Sequence, residues 1–128
     1  MSDTKSIVLP MFDGKEEHFQ VWWTKFRAFG TAKGFVAALL GEETELPTTE
    51  DQVLDETVPD QLKKIKARAR NALAMAYMLS ALKSEADVSM AYETMTDEWP
   101  GGKAHVLVTK LMEVHQPKDS VTEIELYK

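Results

Sequence analysis

Residues 19–30 read FQVWWTKFRAFG and place aromatic side chains at spacings of three and four. On a wheel of about 100° per residue, Phe19, Trp22, Trp23, Phe26 and Phe29 share one face, which is typical of a helix that packs against a core. Upstream, the pair formed by residues 13 and 16, an aspartate and a glutamate, has the form of a capping box, in which the aspartate accepts from the first-turn amides and the glutamate reaches back. The stretch therefore predicts a helix that begins at residue 13 and buries an aromatic face.

The segment before this helix is apolar but too short to form a helix of its own. Residues 6–12 read SIVLPMF, and Pro10 biases Leu9 toward extended backbone. We predict that residues 1–12 form an extended strap on the core.

A long helix is predicted from Pro59, because proline and the following Asp60 both suit a first helical turn. The lysines and arginines of residues 63–70 fill the solvated side of its wheel. Residues 73–82 are apolar on nearly every side, which indicates the central helix of the fold. Its predicted buried stripe comprises Leu62, Ile65, Ala69, Ala72, Leu73 and Ala76.

Shorter helices follow the same reasoning. Residues 35–40 form an apolar turn or helix closed by Gly41. Ser84 caps a helix that we expect to end near Trp99, before the breaker Pro-Gly-Gly of residues 100–102. Residues 104–114 have helical spacing that includes Leu107 and Leu111. A capping-box pattern at residues 120–123 opens a last helix that the end of the chain truncates, so we expect a fragment of a longer protein.

Residues 42–58 are acidic and poor in apolar side chains, and they predict a long, exposed and mobile loop. With no alternating strand pattern, the chain is predicted to be all-α. We expect a compact bundle of five or six helices with an extended N-terminal segment, in which residues 13–128 form one lobe.

Composition narrows the functional classes. A chain of 128 residues fits one domain, and its formal net charge of −6 disfavours a dedicated nucleic-acid-binding surface. The absence of cysteine excludes disulfides, thiolate nucleophiles and cysteine-ligated zinc. No apolar run approaches the roughly 18 residues that a membrane span needs, so we expect a cytoplasmic protein without membrane contact.

No catalytic, cofactor-binding or metal-binding residue is predicted. His18, His105 and His115 lack the spacing of metal-ligand pairs. Glu16 and Glu17 beside His18 are better explained by helix capping than by acid–base chemistry. The Gly-Gly-Lys of residues 101–103 lacks the rest of a phosphate-binding loop. The basic residues 63–70 could touch RNA, although a solvated helix face is the favoured interpretation.

Short hydrophobic motifs carry a family resemblance. Phe12-x-Gly14, followed by Phe19-x-x-Trp22 and Phe26, resembles the N-terminal Gag signature of copia-type LTR retrotransposons. Residues 104–117 resemble a later helix of that family, with His115 at a position where an aromatic residue is common. The expected signature and core residues are Phe12, Gly14, Phe19, Trp22, Phe26, Leu73, Leu107 and Leu111.

The resemblance implies a capsid lobe that associates with other Gag subunits through several weak interfaces. Particles built in this way would enclose retrotransposon RNA, which this lobe would contact only indirectly or through regions outside this chain. The alternative is a monomeric helical module that binds a protein or peptide segment in a groove between helices.

Overall fold

The computed structural model describes residues 7–41 and 45–116. Within them the chain forms a 3₁₀ turn at Glu16–His18 and five helices, which are α1 Phe19–Lys33, α2 Val36–Leu39, α3 Pro59–Ala81, α4 Glu85–Glu93 and α5 Ala104–His115. These ranges contain no β-strand. The all-α prediction is confirmed, and the helix expected after residue 120 lies outside the described residues. Across the described ranges, no helix is both long enough and apolar enough to cross a bilayer.

Helix α1 buries the predicted aromatic face, including Phe19, Trp22 and Phe26. Its start differs from the prediction. Gly14 adopts a φ of 90°, so the chain turns after Asp13, whose carboxylate accepts from the Lys15 amide at 2.9 Å and lies 2.7 Å from His18 Nδ1. The capping-box prediction was therefore wrong, because this turn and the 3₁₀ turn separate residue 13 from the first residue of α1.

Helix α3 begins at Pro59 as predicted but buries a different face. Its buried residues are Ala67, Asn71, Ala74, Met75, Met78 and Ala81. Leu73 is 40% exposed, and Ala69, Ala72 and Ala76 are exposed too. Four of the six residues of the predicted stripe therefore point outward, whereas Leu62 and Ile65 are half-buried. The alanines at positions 67, 74 and 81 repeat every seven residues and let neighbouring elements approach closely. The prediction failed because hydrophobicity alone could not indicate which side of a segment that is apolar all round is buried.

The described part of the strap, residues 7–12, meets α3 at the C-terminal end of that helix, and residues 1–6 of the predicted strap lie outside the described residues. Phe12 forms an isolated parallel bridge with Leu82, in which the Phe12 amide donates to the Ala81 carbonyl at 2.9 Å and the Lys83 amide donates to the Phe12 carbonyl at 3.0 Å. The Trp22 indole N–H donates to the Pro10 carbonyl at 3.0 Å. Residues 10–12 are thus fastened to both α1 and the end of α3.

The acidic segment is a loop over its described part, and long-range hydrogen bonds hold its middle. The Arg68 guanidinium donates to the carbonyls of Glu50 at 3.0 Å and Gln52 at 2.7 Å, and the Trp99 indole donates to the Thr48 carbonyl at 3.2 Å. The Gly101 amide donates to Glu50 Oε1 at 2.6 Å. Mobility therefore stays a prediction for residues 53–58, where these anchors end.

Helix α4 ends at Glu93, earlier than the expected end near Trp99. The Thr94 hydroxyl donates to the Ala91 carbonyl at 2.7 Å, and the Thr96 amide donates to the Trp99 carbonyl at 3.1 Å. The residues expected to complete this helix instead form a turn against the acidic loop. The Asn71 side chain binds the end of this turn, since it donates to the Gly102 carbonyl at 2.9 Å and accepts from the Ala104 amide at 2.8 Å.

Candidate interaction surfaces

The signature motif forms one aromatic cluster. Phe12, Phe19, Trp22 and Phe26 are each at most 3% exposed, and the Phe12 ring stacks on Trp22 at a centroid distance of 5.2 Å. Trp22 in turn stacks on Phe26 at 5.0 Å. Leu107 and Leu111 belong to the same buried core. Leu73, predicted to join them, does not, because it lies on the outward side of α3.

Gly14 occupies a position that excludes a side chain. Its φ of 90° is one that residues with a Cβ rarely adopt. A Cβ placed here would also lie 2.7 Å from Ser84 Cβ and 3.5 Å from Asp87 Oδ2. The glycine of the Phe-x-Gly motif therefore lets the strap turn pass directly over the start of α4.

Sequence reasoning missed a buried polar pair beneath this turn. His115, the last residue of α5, places Nε2 2.7 Å from Asp87 Oδ1 on α4. The two side chains are 9% and 1% exposed. The His115 ring also meets Phe12 edge-on at 4.9 Å and stacks on Phe19 at 5.5 Å. The available signal was spacing, because Asp87 precedes the core residue Ala91 by four positions and His115 follows Leu111 by four.

The chemistry open to this pair is limited by its burial. A carboxylate that orients an imidazole occurs in many catalytic sites, but here aromatic rings cover the imidazole and a substrate has no access. Asp87 Oδ2 has no hydrogen-bond partner among the described residues. The arrangement suits the joining of α4, α5 and the strap. Within residues 7–41 and 45–116, no three histidines, aspartates or glutamates lie close enough to hold a metal ion.

The exposed Asp13 carboxyl, which contacts His18, has a lowered pKa. The hydrogen bond from the Lys15 amide, and next the contact with the His18 ring, lower the pKa of the Asp13 carboxyl from its ordinary value. Asp55 behaves in the same way, since its hydrogen bonds from the Thr57 hydroxyl and amide lower its pKa. Both carboxylates fasten turns.

The basic residues 63–70 are partly committed to the fold. Arg68 holds the acidic loop through the Glu50 and Gln52 carbonyls. Lys63 and Lys66 are exposed on the same helix. This arrangement agrees with the interpretation of a solvated helix face better than with that of an assembled nucleic-acid site.

Two outward surfaces are apolar. The first, the α3 outer face, consists of Ala69, Ala72, Leu73, Ala76 and Ser80, all exposed. These residues recur at spacings of three and four, so they form one strip along the helix. No charged residue occurs between positions 71 and 82. The strip is thus an uncharged surface on the longest helix of the fold.

The second surface, the strap groove, lies between the strap and α1. It encloses about 520 Å³ and is lined by Ile7, Val8, Leu9, Pro10, Lys25, Ala28 and Phe29. A neighbouring depression of about 310 Å³ shares Pro10 and Lys25 with the groove and is more polar, since its other lining residues are Met11, Asp13, His18, Val21 and Trp22. Val8 is 82% exposed and Val21 59% exposed at this site. Among the described residues that line the strap groove itself, Lys25 is the only charged one.

No protein-family model, no curated protein and no solved structure matches this chain.

Proposed function

We propose that this chain is a structural, non-enzymatic protein that associates with copies of itself, as a capsid lobe of the copia-type Gag kind does. In this proposal the assembled subunits form particles in the cytoplasm that enclose retrotransposon RNA. Support comes from the Phe-x-Gly and aromatic-x-x-Trp residues, which pack as one unit, and above all from the α3 outer face.

The α3 outer face carries the proposal because a solvated helix face normally bears charged or polar side chains. Here four of the five outward residues are alanine or leucine. Small side chains let two helices pack at an interaxial distance of about 8 Å. Two copies of the strip could therefore meet about a two-fold axis, with the same residues contributed by each copy.

The size of the strip favours assembly through many weak contacts. Residues 69–80 span about 17 Å along the helix, which at a helix width of about 10 Å gives roughly 170 Å² per copy. Stable dimers bury about 800 Å² per partner. One such contact is too small to hold a dimer alone, and a shell in which each subunit makes several contacts multiplies its effect.

The proposal assigns RNA binding to regions other than this chain. The net charge of −6 opposes contact with phosphates. The basic half of α3 already contributes Arg68 to the acidic loop. RNA would therefore be enclosed by the particle without being recognised by this lobe.

Light scattering of the chain across a concentration series tests the proposal. We expect a monomer or small oligomer at micromolar concentration and a rise in weight-average mass toward millimolar concentration. Leu73→Glu should abolish that rise, because it places a carboxylate in the strip. Val53→Glu is the matched control, since it makes the same change at a loop residue that is 94% exposed.

Both variants should retain the far-ultraviolet circular dichroism of the parent. A mass that stays monomeric over the whole range, or an equal loss in both variants, would overturn assembly through α3. Negative-stain images of concentrated samples at several ionic strengths provide a second readout. The alternative, a monomeric binding module, is favoured by the strap groove and would be supported by a persistent monomer that binds a peptide there.

A further inference from the structure

The strap groove has the features of an occupied site. Its described lining is apolar apart from Lys25, and Lys25 also lines the adjoining depression. Among the described residues, no carboxylate forms an ion pair with Lys25. An occupant that fits this surface has apolar side chains on either side of a carboxylate.

The C-terminal end of α5 contacts the strap. His115 is the last residue of α5, and its ring contacts Phe12 of the strap at 4.9 Å. Phe12 stacks on Trp22, which lines the adjoining depression. Phe12 therefore connects the end of α5 to Trp22, which lines the depression next to the groove.

The sequence that follows has the required length and chemistry. Residues 117–128 read PKDSVTEIELYK, and eight residues from Gln116 to Ile124 can span up to about 26 Å. The segment interleaves Val121, Ile124 and Leu126 with Glu123 and Glu125. Ile124 and Leu126 each have a carboxylate as a sequence neighbour.

We propose that the strap groove is the docking site for residues 121–127 of the same chain. The apolar side chains of the segment fill the groove, and the carboxylate of Glu123 or Glu125 pairs with Lys25. This inference does not rest on self-assembly through α3, which lies on a different surface. It assigns the groove to the chain's own tail instead of to a foreign peptide.

Disulfide trapping tests the assignment, because the chain contains no cysteine of its own. In the double variant Ala28→Cys/Ile124→Cys, one thiol lies in the groove and the other in the segment. The matched control is Ala76→Cys/Ile124→Cys, since Ala76 is also an exposed helical alanine but lies on the α3 outer face. Both proteins are oxidised at low micromolar concentration, and the products are separated on a non-reducing gel and identified by intact mass.

We expect the groove pair to form an intramolecular disulfide at least about tenfold faster than the control pair, because docking raises the effective concentration of the two thiols. Lys25→Glu in the groove pair should slow the reaction several-fold, whereas Lys66→Glu, at an exposed lysine of α3, should not. Equal rates for the two cysteine pairs would overturn docking in the groove. A product that is only an intermolecular dimer would overturn docking within one chain, and an unchanged rate in Lys25→Glu would overturn the ion pair.

Discussion

Replacing His115 by phenylalanine separates the packing of its ring from its hydrogen bond to Asp87. The new ring keeps the shape that packs against Phe12 and Phe19, whose rings lie 4.9 and 5.5 Å from the imidazole. It removes the only hydrogen-bond partner of the Asp87 carboxylate among the described residues. The carboxylate, 1% exposed, is then left buried without compensation.

The expected loss of stability follows from comparing the cost of the ring exchange with the cost of breaking the buried pair. Exchanging one ring for another of similar volume costs less than about 1.5 kcal/mol. Removing one member of a buried pair costs about 3–5 kcal/mol, because the remaining charge loses its compensation. Since domains of this size are stable by about 5–15 kcal/mol, His115→Phe should remove a large share of the free energy of unfolding.

Urea denaturation followed by tryptophan fluorescence measures this loss. His105→Phe is the control, because His105 is exposed and a surface substitution changes stability by about 0.5 kcal/mol or less. The double variant Asp87→Leu/His115→Phe should recover most of the loss, since replacing both members of a buried pair by apolar residues is often neutral. A loss below about 1 kcal/mol in the single variant, or a double variant as unstable as the single one, would refute the reasoning.

Three further outcomes are expected. Trp22→Ala should lower the free energy of unfolding by about 3–5 kcal/mol in denaturant melts, because Trp22 is 3% exposed within the aromatic cluster; a loss under about 1 kcal/mol would contradict its place in the core. Limited proteolysis read by mass spectrometry should cut first within residues 42–58, at positions 53–58, where Val53 is 94% exposed; a first cut inside residues 72–82 would contradict the central-helix assignment. Because the pKa of Asp13 is lowered on folding, its contribution to stability is present above about pH 4 and lost as the pH falls through the folded value. The stability difference between the parent and Asp13→Asn should therefore shrink on acidification, and a constant difference would rule this out.

The sequence was sufficient to predict the fold class and the buried face of α1, but not the residue at which α1 begins. Five aromatic side chains at helical spacing lie among polar residues such as Gln20, Thr24 and Lys25, so only one face could be buried. In α3 the same reasoning failed, because residues 71–82 carry no charge and several faces were equally apolar. The face of α3 that is buried depends on the elements that pack against the helix, and the sequence of α3 alone does not identify those elements.

The polar contacts were not predicted, for a related reason. Asp87 and His115 are 28 positions apart. Each has helical spacing to a core residue, but aspartate and histidine side chains are usually expected to be exposed or only partly buried, so neither residue alone predicts a buried pair. The anchors of the acidic loop are also long-range, since Arg68 lies 18 positions from Glu50. Composition correctly indicated a loop, but the side chains that fasten it come from other parts of the chain.

For the α3 outer face, the free energy gained by burying the strip is similar in size to the free-energy cost of association. Pairing two strips would remove about 340 Å² from water, which at about 25 cal/mol per Å² contributes roughly 8 kcal/mol. Association costs about 4–15 kcal/mol in lost translational and rotational freedom. The difference runs from about 4 kcal/mol in favour of pairing to about 7 kcal/mol against it, and the favourable limit corresponds to a dissociation constant near 1 mM. Alanine at positions 69, 72 and 76 keeps the strip in this range, because larger apolar residues would bury more area and a charged residue would prevent the contact. A subunit with such a face stays dispersed when dilute and associates where several contacts act together.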